Sequence, residues 1–524
     1  MSPSFNLVEE PFIPCVHLDG SPAEYGLRDV LLKAHEIAEL RDASPLVTVA
    51  LHRLLLAILH RSYRGPRDAA ARVAIRSAGA FDPKRFGEYL TKWADRFDLF
   101  HEKYPFYQRT GFATAEPSGI NRLAQELSRG NNAALFDHTT DDPPPALTPA
   151  QAARVIIAEQ AFAVGGGKSD TGNTTHAPLV SGAAVLVRGA TLFETLWLNL
   201  TVYDREERPV VSDPEDAPVW ERPSEEPHKQ PAKPYGYLDY LTWQSRTLRL
   251  QPAVENGVLA VRRVFYAQGR RCEPEASFFN PMVAFNRKVE KDPWQPVRFN
   301  EFRDLWRDSA ALYQIRDPDK GLERAPRIVH DLAADRLRDV LSASARYTLS
   351  AFGLCTDKAK VNFWRHESLL LPLAYLDTPE LVEKLKLALK LAEEVGKALR
   401  AAAWATAANR LTGDSGMSPD ADRVRSLLDS FAPERLYWSR LELPYRDLLV
   451  ALAGDGADRD ALVRHWFLDT LCATAENAFD NSIGRVDAAR DLKAVTAGRG
   501  VLLSNLKTVG STNRITDRQK EGAA

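Results

Sequence analysis

The sequence predicts a mixed α+β fold in which a large globular N-terminal domain precedes a C-terminal four-helix bundle. The chain has 524 residues, more than one hydrophobic core usually organises, so two or more domains are expected. Apolar and polar residues alternate between residues 235 and 264, which indicates strands and hairpins. Beyond residue 377 the apolar residues recur at helical spacing instead. We therefore assign residues 1–376 to the N-terminal domain, which carries the candidate contact loops, and residues 377–524 to the bundle.

The N-terminal domain opens with strand-like runs and then alternates helices with loops. Residues 6–20 predict a strand or hairpin. Ser44 and Pro45 begin a buried helix, since proline is favoured in the first helical turn. Residues 183–187 predict a strand and residues 191–200 a helix. Irregular segments interrupt this pattern: a long exposed loop at 129–149, a second loop at 353–360, and a turn at 268–271 that would place two arginines at a hairpin tip.

The C-terminal domain is predicted from four amphipathic segments. Thr378 fits an N-cap, and Pro379 stands at the first helical position. An apolar stripe then continues for several turns, supported by Glu380 and Lys384 four residues apart. Further helices are expected at about 419–432, at about 443–483 with a break near 454–456, and at about 484–508. Short links between amphipathic helices indicate an antiparallel bundle.

Charge and cysteine usage exclude several classes of protein. Lys and Arg number 68 against 70 Asp and Glu, so any nucleic-acid contact must come from local patches or from a surrounding complex. The four cysteines lie far apart without a CxxC pair, which argues against a zinc site or a disulfide framework. No apolar run approaches the length of a membrane span, and no signal peptide is recognisable. We expect a protein of the reducing cytoplasm with no cofactor, metal or membrane partner.

Three consecutive glycines, Gly165 to Gly167, mark the stretch in which ligand contact is most expected. Without Cβ atoms the backbone can adopt positive φ and approach a ligand closely. The spacing argues against a Walker A phosphate loop, because Phe162 stands where that motif requires its first glycine. The alternative is a tight turn that packs under a helix.

A run of arginines follows the first buried helix and has two interpretations. It is either a solvated helix face or a patch that faces phosphate, since arginine pairs with phosphate in a bidentate way. Its members are Arg61, Arg64, Arg67, Arg72 and Arg76.

No recognisable catalytic signature is present. Neither His35 nor His366, each beside a glutamate, belongs to an HExxH helix. The chain also lacks a GxSxG nucleophile elbow. We therefore expect a binding subunit without catalytic residues rather than an enzyme.

An ordered set of segments resembles the CasA family, the large subunits of Cascade, the RNA-guided surveillance complex of type I-E CRISPR systems. The matching segments are NLVEEPFIP at 6–14, SPLVTVALHRLLLAILHR at 44–61, YPFYQ at 104–108, the glycine stretch with LVRGATLFETLWLNL at 186–200, NPMVAF at 280–285 and the closing helices. The resemblance covers essentially the whole chain. It implies a subunit that recognises the protospacer-adjacent motif in invading double-stranded DNA and helps to open the duplex into an R-loop. It also implies contact with the 5′ end of the crRNA, with other Cascade subunits and with the helicase-nuclease recruited in antiviral defence.

The resemblance assigns residues to each of these contacts. It puts the motif-contacting glycine loop at Val164, Gly165, Gly166 and Gly167. The loop for the crRNA 5′ end matches Phe136, Asp137 and His138. The strand-separating wedge matches Asp357, Lys358 and Ala359, with Lys358 where the family usually has glutamine. The minor-groove finger falls at Gln268, Arg270 and Arg271, where an arginine would replace the family's lysine.

Two alternatives remain open at this point. One is a structural scaffold subunit that docks partners without reading DNA. The other is a helical hydrolase whose glycine loop holds a phosphate substrate. Turnover of phosphoesters by the protein alone would distinguish the hydrolase. Motif-dependent binding that survives a bulky substitution at Gly166 would distinguish the scaffold.

Overall fold

The computed structural model describes residues 3–124, 126–127, 142–169, 172–203, 214–223, 230–315, 321–337, 340–342, 346–357, 359–412, 419–485 and 489–515. The chain divides into two compact units, residues 1–377 and residues 378–524. The first unit mixes helices with small sheets, and the second is helical. The predicted α+β fold class with a helical C-terminal region is therefore confirmed.

The first unit has one long central helix and several shorter ones. In its described part the helices are α1 (Leu27–Leu32), α2 (Pro45–Tyr63), α3 (Ala69–Ser77), α4 (Pro83–Lys92), α5 (Pro149–Phe162), α6 (Leu192–Leu198), α7 (Tyr237–Leu241), α8 (Ser309–Tyr313), α9 (Arg327–Leu337) and α10 (Ala374–Asp377). Helix α2 begins as the sequence predicts, with the Ser44 hydroxyl accepting a hydrogen bond from the Val47 amide. Nearly all of its residues from Leu46 to His60 are buried. It packs against α4, α5 and α7 and lies at the centre of the core.

The strands of the first unit form small antiparallel sheets. They are β1 (Ile13–His17), β2 (Pro22–Tyr25), β3 (Ile37–Leu40), β4 (Ser118–Gly119), β5 (Lys168–Ser169), β6 (Gly172–Asn173), β7 (Ala184–Arg188), β8 (Arg246–Glu255), β9 (Val258–Gln268), β10 (Phe285–Asn286), β11 (Gln295–Pro296), β12 (Glu323–Arg324), β13 (Arg346–Asp357) and β14 (Lys360–Pro372). The strand orders are β2-β1-β3, β4-β9-β8, β5-β6, β11-β10-β12 and β14-β13-β7. The strands expected at 6–20 and 183–187 are present as β1 and β7, and β1 pairs with β2 just beyond residue 20.

The second expected loop, at 353–360, is mostly strand. Strand β13 continues to Asp357 and pairs with β14 up to Asp357 opposite Lys360, with a bulge between Cys355 and Thr356. The segment lacks the alternation of apolar and polar residues that predicts a strand, because its glycine and small polar residues lie in the part of the strand next to the turn. Asp357 and Ala359 therefore lie at the tip of a long hairpin.

The expected hairpin tip at 268–271 is wrong. Strands β8 and β9 do form a hairpin, but its turn is at Asn256 and Gly257, which both have positive φ. This pair of left-handed residues is typical of a two-residue hairpin turn. Gln268 pairs with Arg246 at the opposite, open end of the hairpin.

The second unit consists of long packed helices. They are α11 (Pro379–Thr412), α12 (Ala421–Phe431), α13 (Pro433–Leu452), α14 (Arg459–His465), α15 (Ala473–Asp480) and α16 (Ala489–Thr512), with a π-helical segment, Trp466–Cys472, between α14 and α15. Helix α11 packs against α13, α15 and α16. The third helix begins earlier than the sequence predicts, because Pro433 already starts it after the left-handed Ala432. No described helix in either unit is both long and apolar enough to cross a membrane.

Candidate nucleic-acid interface

The glycine loop follows the end of α5 and folds back on residues 174–176. The Gly165 amide donates to His176 Nδ1 at 3.0 Å, and the Gly166 amide donates to the Thr174 carbonyl at 3.0 Å. A Cβ at Gly165 would lie 2.6 Å from the Thr175 carbonyl carbon. Close packing inside the protein therefore explains Gly165, but it packs against the backbone of Thr175 and His176 rather than under a helix, which the tight-turn alternative predicted.

Gly166 and Gly167 are different, because both are exposed. Gly166 has φ of +114°, a conformation that residues with a side chain rarely adopt. A Cβ at Gly166 would lie 2.8 Å from the Cβ of Ala359, so the glycine loop touches the tip of the β13–β14 hairpin. A Cβ at Gly167 would meet only Thr174 Oγ1, at 3.6 Å. The structure thus brings together two predicted sites that are far apart in the sequence.

The segment after β9 reaches the same place. Gln268 is buried, and its Oε1 accepts a hydrogen bond of 2.7 Å from the Thr175 amide. Arg271 donates from Nη2 to the Asn173 carbonyl at 3.2 Å. Gln268 therefore supports the segment that follows β6 and packs against the glycine loop, and Arg271 lies beside the β5–β6 hairpin.

Arg270 points elsewhere. Its guanidinium donates to both oxygens of Asp239, at 2.6 and 3.2 Å, and lies 3.8 Å from the centre of the Trp243 ring. Asp239 also accepts from Arg222 at 2.9 Å. The Arg270 side chain is therefore fixed by Asp239 and Trp243. Arg271 is the arginine beside the glycine loop.

Arg246 is a supporting residue that the sequence did not reveal. It is only 1% exposed, and its Nη2 donates to the Val164 carbonyl at 3.1 Å and to the Thr175 carbonyl at 2.9 Å. Burial is the larger cause that lowers the pKa of His176, and the charge of Arg246 is the second. A neutral imidazole can accept the Gly165 hydrogen bond, so Arg246 fixes both sides of the glycine loop. The strand period of β8 gave no signal for this role, because the partners lie more than 70 residues away.

The arginine run does not form one patch. Arg72 is fully buried and pairs with Asp335 through Nε at 2.7 Å, so its assignment to a phosphate-facing surface is wrong. Arg76 contacts the Val340 carbonyl and lies 5.0 Å from the Trp197 ring centre. Both side chains anchor α3 to the core.

The other arginines of the run lie near the end of α2. Arg61 is paired with both oxygens of Glu221, at 2.9 and 2.6 Å. Arg64 and Arg67 are exposed. Of the five expected members, these two are the ones with the exposure that a phosphate contact requires.

Several expected site residues cannot be located. Phe136, Asp137, His138 and Lys358 lie outside the described residues. Among the residues that are described, no cluster of three or more His, Cys, Asp or Glu side chains could hold a metal ion.

Comparison with known proteins places this fold in a family. A model of the CRISPR-associated protein Cse1 family matches residues 6–478. The CRISPR-associated protein CasA/Cse1 of Thermus thermophilus is 37% identical over 453 residues, which cover 84% of this chain and 85% of that protein. A crystal structure of Thermus thermophilus CasA matches with a TM-score of 0.80 and 31% identity, covering 97% of this chain and 100% of that chain. A chain of a CRISPR RNA-guided surveillance complex shares the fold, with a TM-score of 0.77 and 22% identity over 96% of this chain and 100% of that one. The protein described here belongs to the CRISPR-associated Cse1 family.

Proposed function

We propose that this protein is the subunit of an RNA-guided surveillance complex that recognises the protospacer-adjacent motif in double-stranded DNA and helps to open the adjoining base pairs. Family membership supports a place in such a complex, because a chain with this fold belongs to one. The observation that carries the DNA-reading role is the contact between Gly166 and Ala359. It puts a bare, exposed backbone next to the tip of a projecting hairpin.

Motif reading is assigned to the exposed glycines. A backbone without Cβ atoms at Gly166 and Gly167 can approach base edges in the minor groove. The minor groove distinguishes base pairs less completely than the major groove, so several related motifs should be accepted. Arg271, beside the β5–β6 hairpin, supplies a cation of the kind that enters a narrow minor groove.

Strand separation is assigned to the hairpin tip at Asp357, Lys358 and Ala359. Because the tip touches the glycine loop, a duplex seated on the loop would meet the tip at its next base pairs. Lys358 replaces the family's amide with a cation, which can hold a parted strand through phosphate. Sequence beyond the motif is then read by guide RNA pairing.

The remaining contacts follow from the family. Phe136, Asp137 and His138 are proposed to hold the 5′ end of the crRNA, where an aromatic ring can stack on an unpaired base. The protein is proposed to dock the helicase-nuclease that degrades the target, and to carry out no chemistry itself.

An electrophoretic shift tests this function. Guide-loaded complex would be mixed with a short target duplex, with and without this protein, using motif-bearing and scrambled-motif DNA. We expect the protein to confer binding that depends on the motif. Binding that is unchanged by the protein, or equal for both duplexes, would favour the scaffold alternative.

A further inference from the structure

A cleft of about 530 Å³ in the first unit has no role in the function proposed above. Its walls include Arg246, Gly269 and Arg270. Arg246 also holds the Val164 carbonyl of the glycine loop, so the cleft and the candidate interface share a wall residue. The volume is within the range of small-molecule sites and is large enough for one nucleotide.

Aromatic rings line this cleft. Phe106 and Tyr107 are stacked with ring centres 4.3 Å apart and an interplanar angle of 8°, and Trp220 lies 6.3 Å from Tyr107 at 25°. These three rings are almost fully buried, whereas Tyr104 is 44% exposed. The Tyr104 ring stacks with His101, with ring centres 5.6 Å apart and an interplanar angle of 12°. Partly exposed aromatic and arginine planes of this kind are a usual platform for an unpaired base.

The cleft also carries an excess of positive charge. Among its described lining residues, Arg and Lys side chains outnumber acidic ones by six to one, the acid being Glu221. Glu221 is already paired with Arg61. The Asp239 carboxylate forms ion pairs with both Arg222 and Arg270. Its single negative charge can neutralise only one of these two positive charges.

Arg96 is the cation best placed to meet a ligand. Its guanidinium lies 3.5 Å from the centre of the Tyr104 ring. It forms no ion pair with any residue that the structure describes. The guanidinium thereby extends the stack of His101 and Tyr104. A base can stack on a guanidinium plane, and the N–H groups at its edge can donate to a phosphate.

The segment that carries these rings is held in a fixed conformation. Tyr107 has φ of 55°, in the left-handed region that residues other than glycine rarely adopt. Gln108 fixes the next position, with Nε2 donating to the Leu99 carbonyl and Oε1 accepting from the Leu250 amide, both at 2.8 Å. This rigidity gives the YPFYQ segment the preorganisation expected of a binding site.

We propose that this cleft binds one unpaired nucleotide of a single strand, with the phosphate on Arg96 and Lys103 and the base extending the stack of Tyr104 and Arg96. The proposal rests on the function proposed above, since strand opening beside the glycine loop would supply single-stranded DNA. The guide RNA is a second source of the same chemistry.

The first test uses the purified full chain. Fluorescein-labelled dT5 and rU5 would be titrated by anisotropy against wild type and the Arg96→Ala/Tyr104→Ala double variant. We expect about tenfold weaker binding by the variant, the scale of one lost base stack. Arg85→Ala is the matched control, because Arg85 also lies over a tyrosine, 5.1 Å from the Tyr63 ring centre, but does not line the cleft. Equal binding by the double variant and wild type, no binding by wild type, or equally effective competition by a hexaglutamate peptide would overturn the proposal.

The second test identifies the strand in the assembled complex. Iodouridine would be placed in the 5′ segment of the guide RNA in one sample, and iododeoxyuridine in the displaced DNA strand in another. A photocrosslink to the peptide spanning residues 96–110 in either sample supports the cleft and names its source. Crosslinks to this peptide in neither sample would contradict it.

The two proposals can fail separately. Motif-dependent binding of duplex DNA with no effect of the double variant on oligonucleotides would leave the glycine loop's role standing without the cleft. Oligonucleotide binding that requires Arg96 and Tyr104, together with duplex binding that does not depend on the motif, would support the cleft and contradict motif reading by the glycine loop.

Discussion

The first unit contains an ion pair that is fully buried, whereas most described ion pairs of the second unit are exposed. In the first unit Arg72 and Asp335 pair with side chains that are each 1% exposed. In the second unit Arg425 and Asp422 pair with side chains that are 66% and 88% exposed. A buried charge needs its partner because water cannot replace it, whereas an exposed pair is screened and contributes little.

This difference explains how each unit positions its surface. The loops of the candidate interface are irregular, and buried polar groups such as Arg246 and Gln268 hold their carbonyls and amides. The helices of the second unit are held by apolar stripes, and most of their described ion pairs are exposed, with Arg410 and Asp491 as an exception at 11% and 17%. A precisely placed loop therefore depends on a few long-range contacts, and single substitutions should disturb it more.

The largest expected effect separates the two kinds of ion pair. Arg72→Met leaves Asp335 as a buried charge without its partner, and should lower the free energy of unfolding by about 3–5 kcal/mol. Arg425→Met, the matched change at an exposed pair, should change it by less than about 1 kcal/mol. Urea unfolding followed by circular dichroism measures both. Equal losses in the two variants would contradict the comparison.

A buried acid of the first unit sharpens the comparison through pH. Burial is the main cause that raises the pKa of Glu275 to about 8, and Asn280 donates a hydrogen bond to it at 3.0 Å. The stabilisation from its neutral form is complete below the unfolded-state pKa near 4.5 and is lost as pH rises through about 8.

Glu275→Gln should therefore gain stability relative to wild type as pH rises from 5 to 9, on the order of 3 kcal/mol. Urea unfolding at both pH values measures the difference. In the second unit Lys384 lowers the pKa of the exposed Asp460 instead, so Asp460→Asn is a control without a gain at high pH. A constant difference between the Gln variant and wild type would show that Glu275 is ionised in the folded protein.

Alanine at two glycines of α16 should change the stability of the helical unit in opposite directions. A Cβ at Gly498 would overlap Thr406 Oγ1 of α11, whereas a Cβ at Gly500 would have nothing within 4 Å. Gly498→Ala should destabilise the protein by about 1–3 kcal/mol through overpacking. Gly500→Ala should stabilise it by about 0.5–1 kcal/mol, because alanine favours the helix. Thermal unfolding measures both signs, and a loss of stability in Gly500→Ala would be inconsistent with this packing.

Sequence patterns predicted the second unit better than the first, for a physical reason. The helical stripe from Pro379 onward is a local signal, as are the Ser44 cap and the glycine run. The burial of Arg72 depends on Asp335, 263 residues away, so the arginine run could not reveal it. The same holds for Arg246 and its partners at the glycine loop. The residue pattern alone predicted a loop at 353–360 rather than paired strands, because these strands carry mixed polarity.

The smallest expected effect concerns the hairpin tip. Lys358→Ala should slow R-loop formation about fivefold, the scale of one exposed charge contact, with little change in initial binding. Stopped-flow fluorescence of 2-aminopurine next to the motif follows strand opening directly. Lys360→Ala, at the first residue of β14, is the matched control. An unchanged opening rate in Lys358→Ala would remove the lysine from the wedge.

Motif discrimination by Gly167→Val tests the central claim most directly. This position is exposed, and an added Cβ makes only an ordinary contact with Thr174 Oγ1 at 3.6 Å, so the fold should persist and urea unfolding should match wild type. The electrophoretic shift of motif-bearing against scrambled DNA would then be measured in the assembled complex. We predict that the preference for the motif falls about tenfold or more, since the side chain holds the backbone away from the base edges. An undiminished preference in a stable, assembled variant would contradict the assignment of motif reading to the glycine loop.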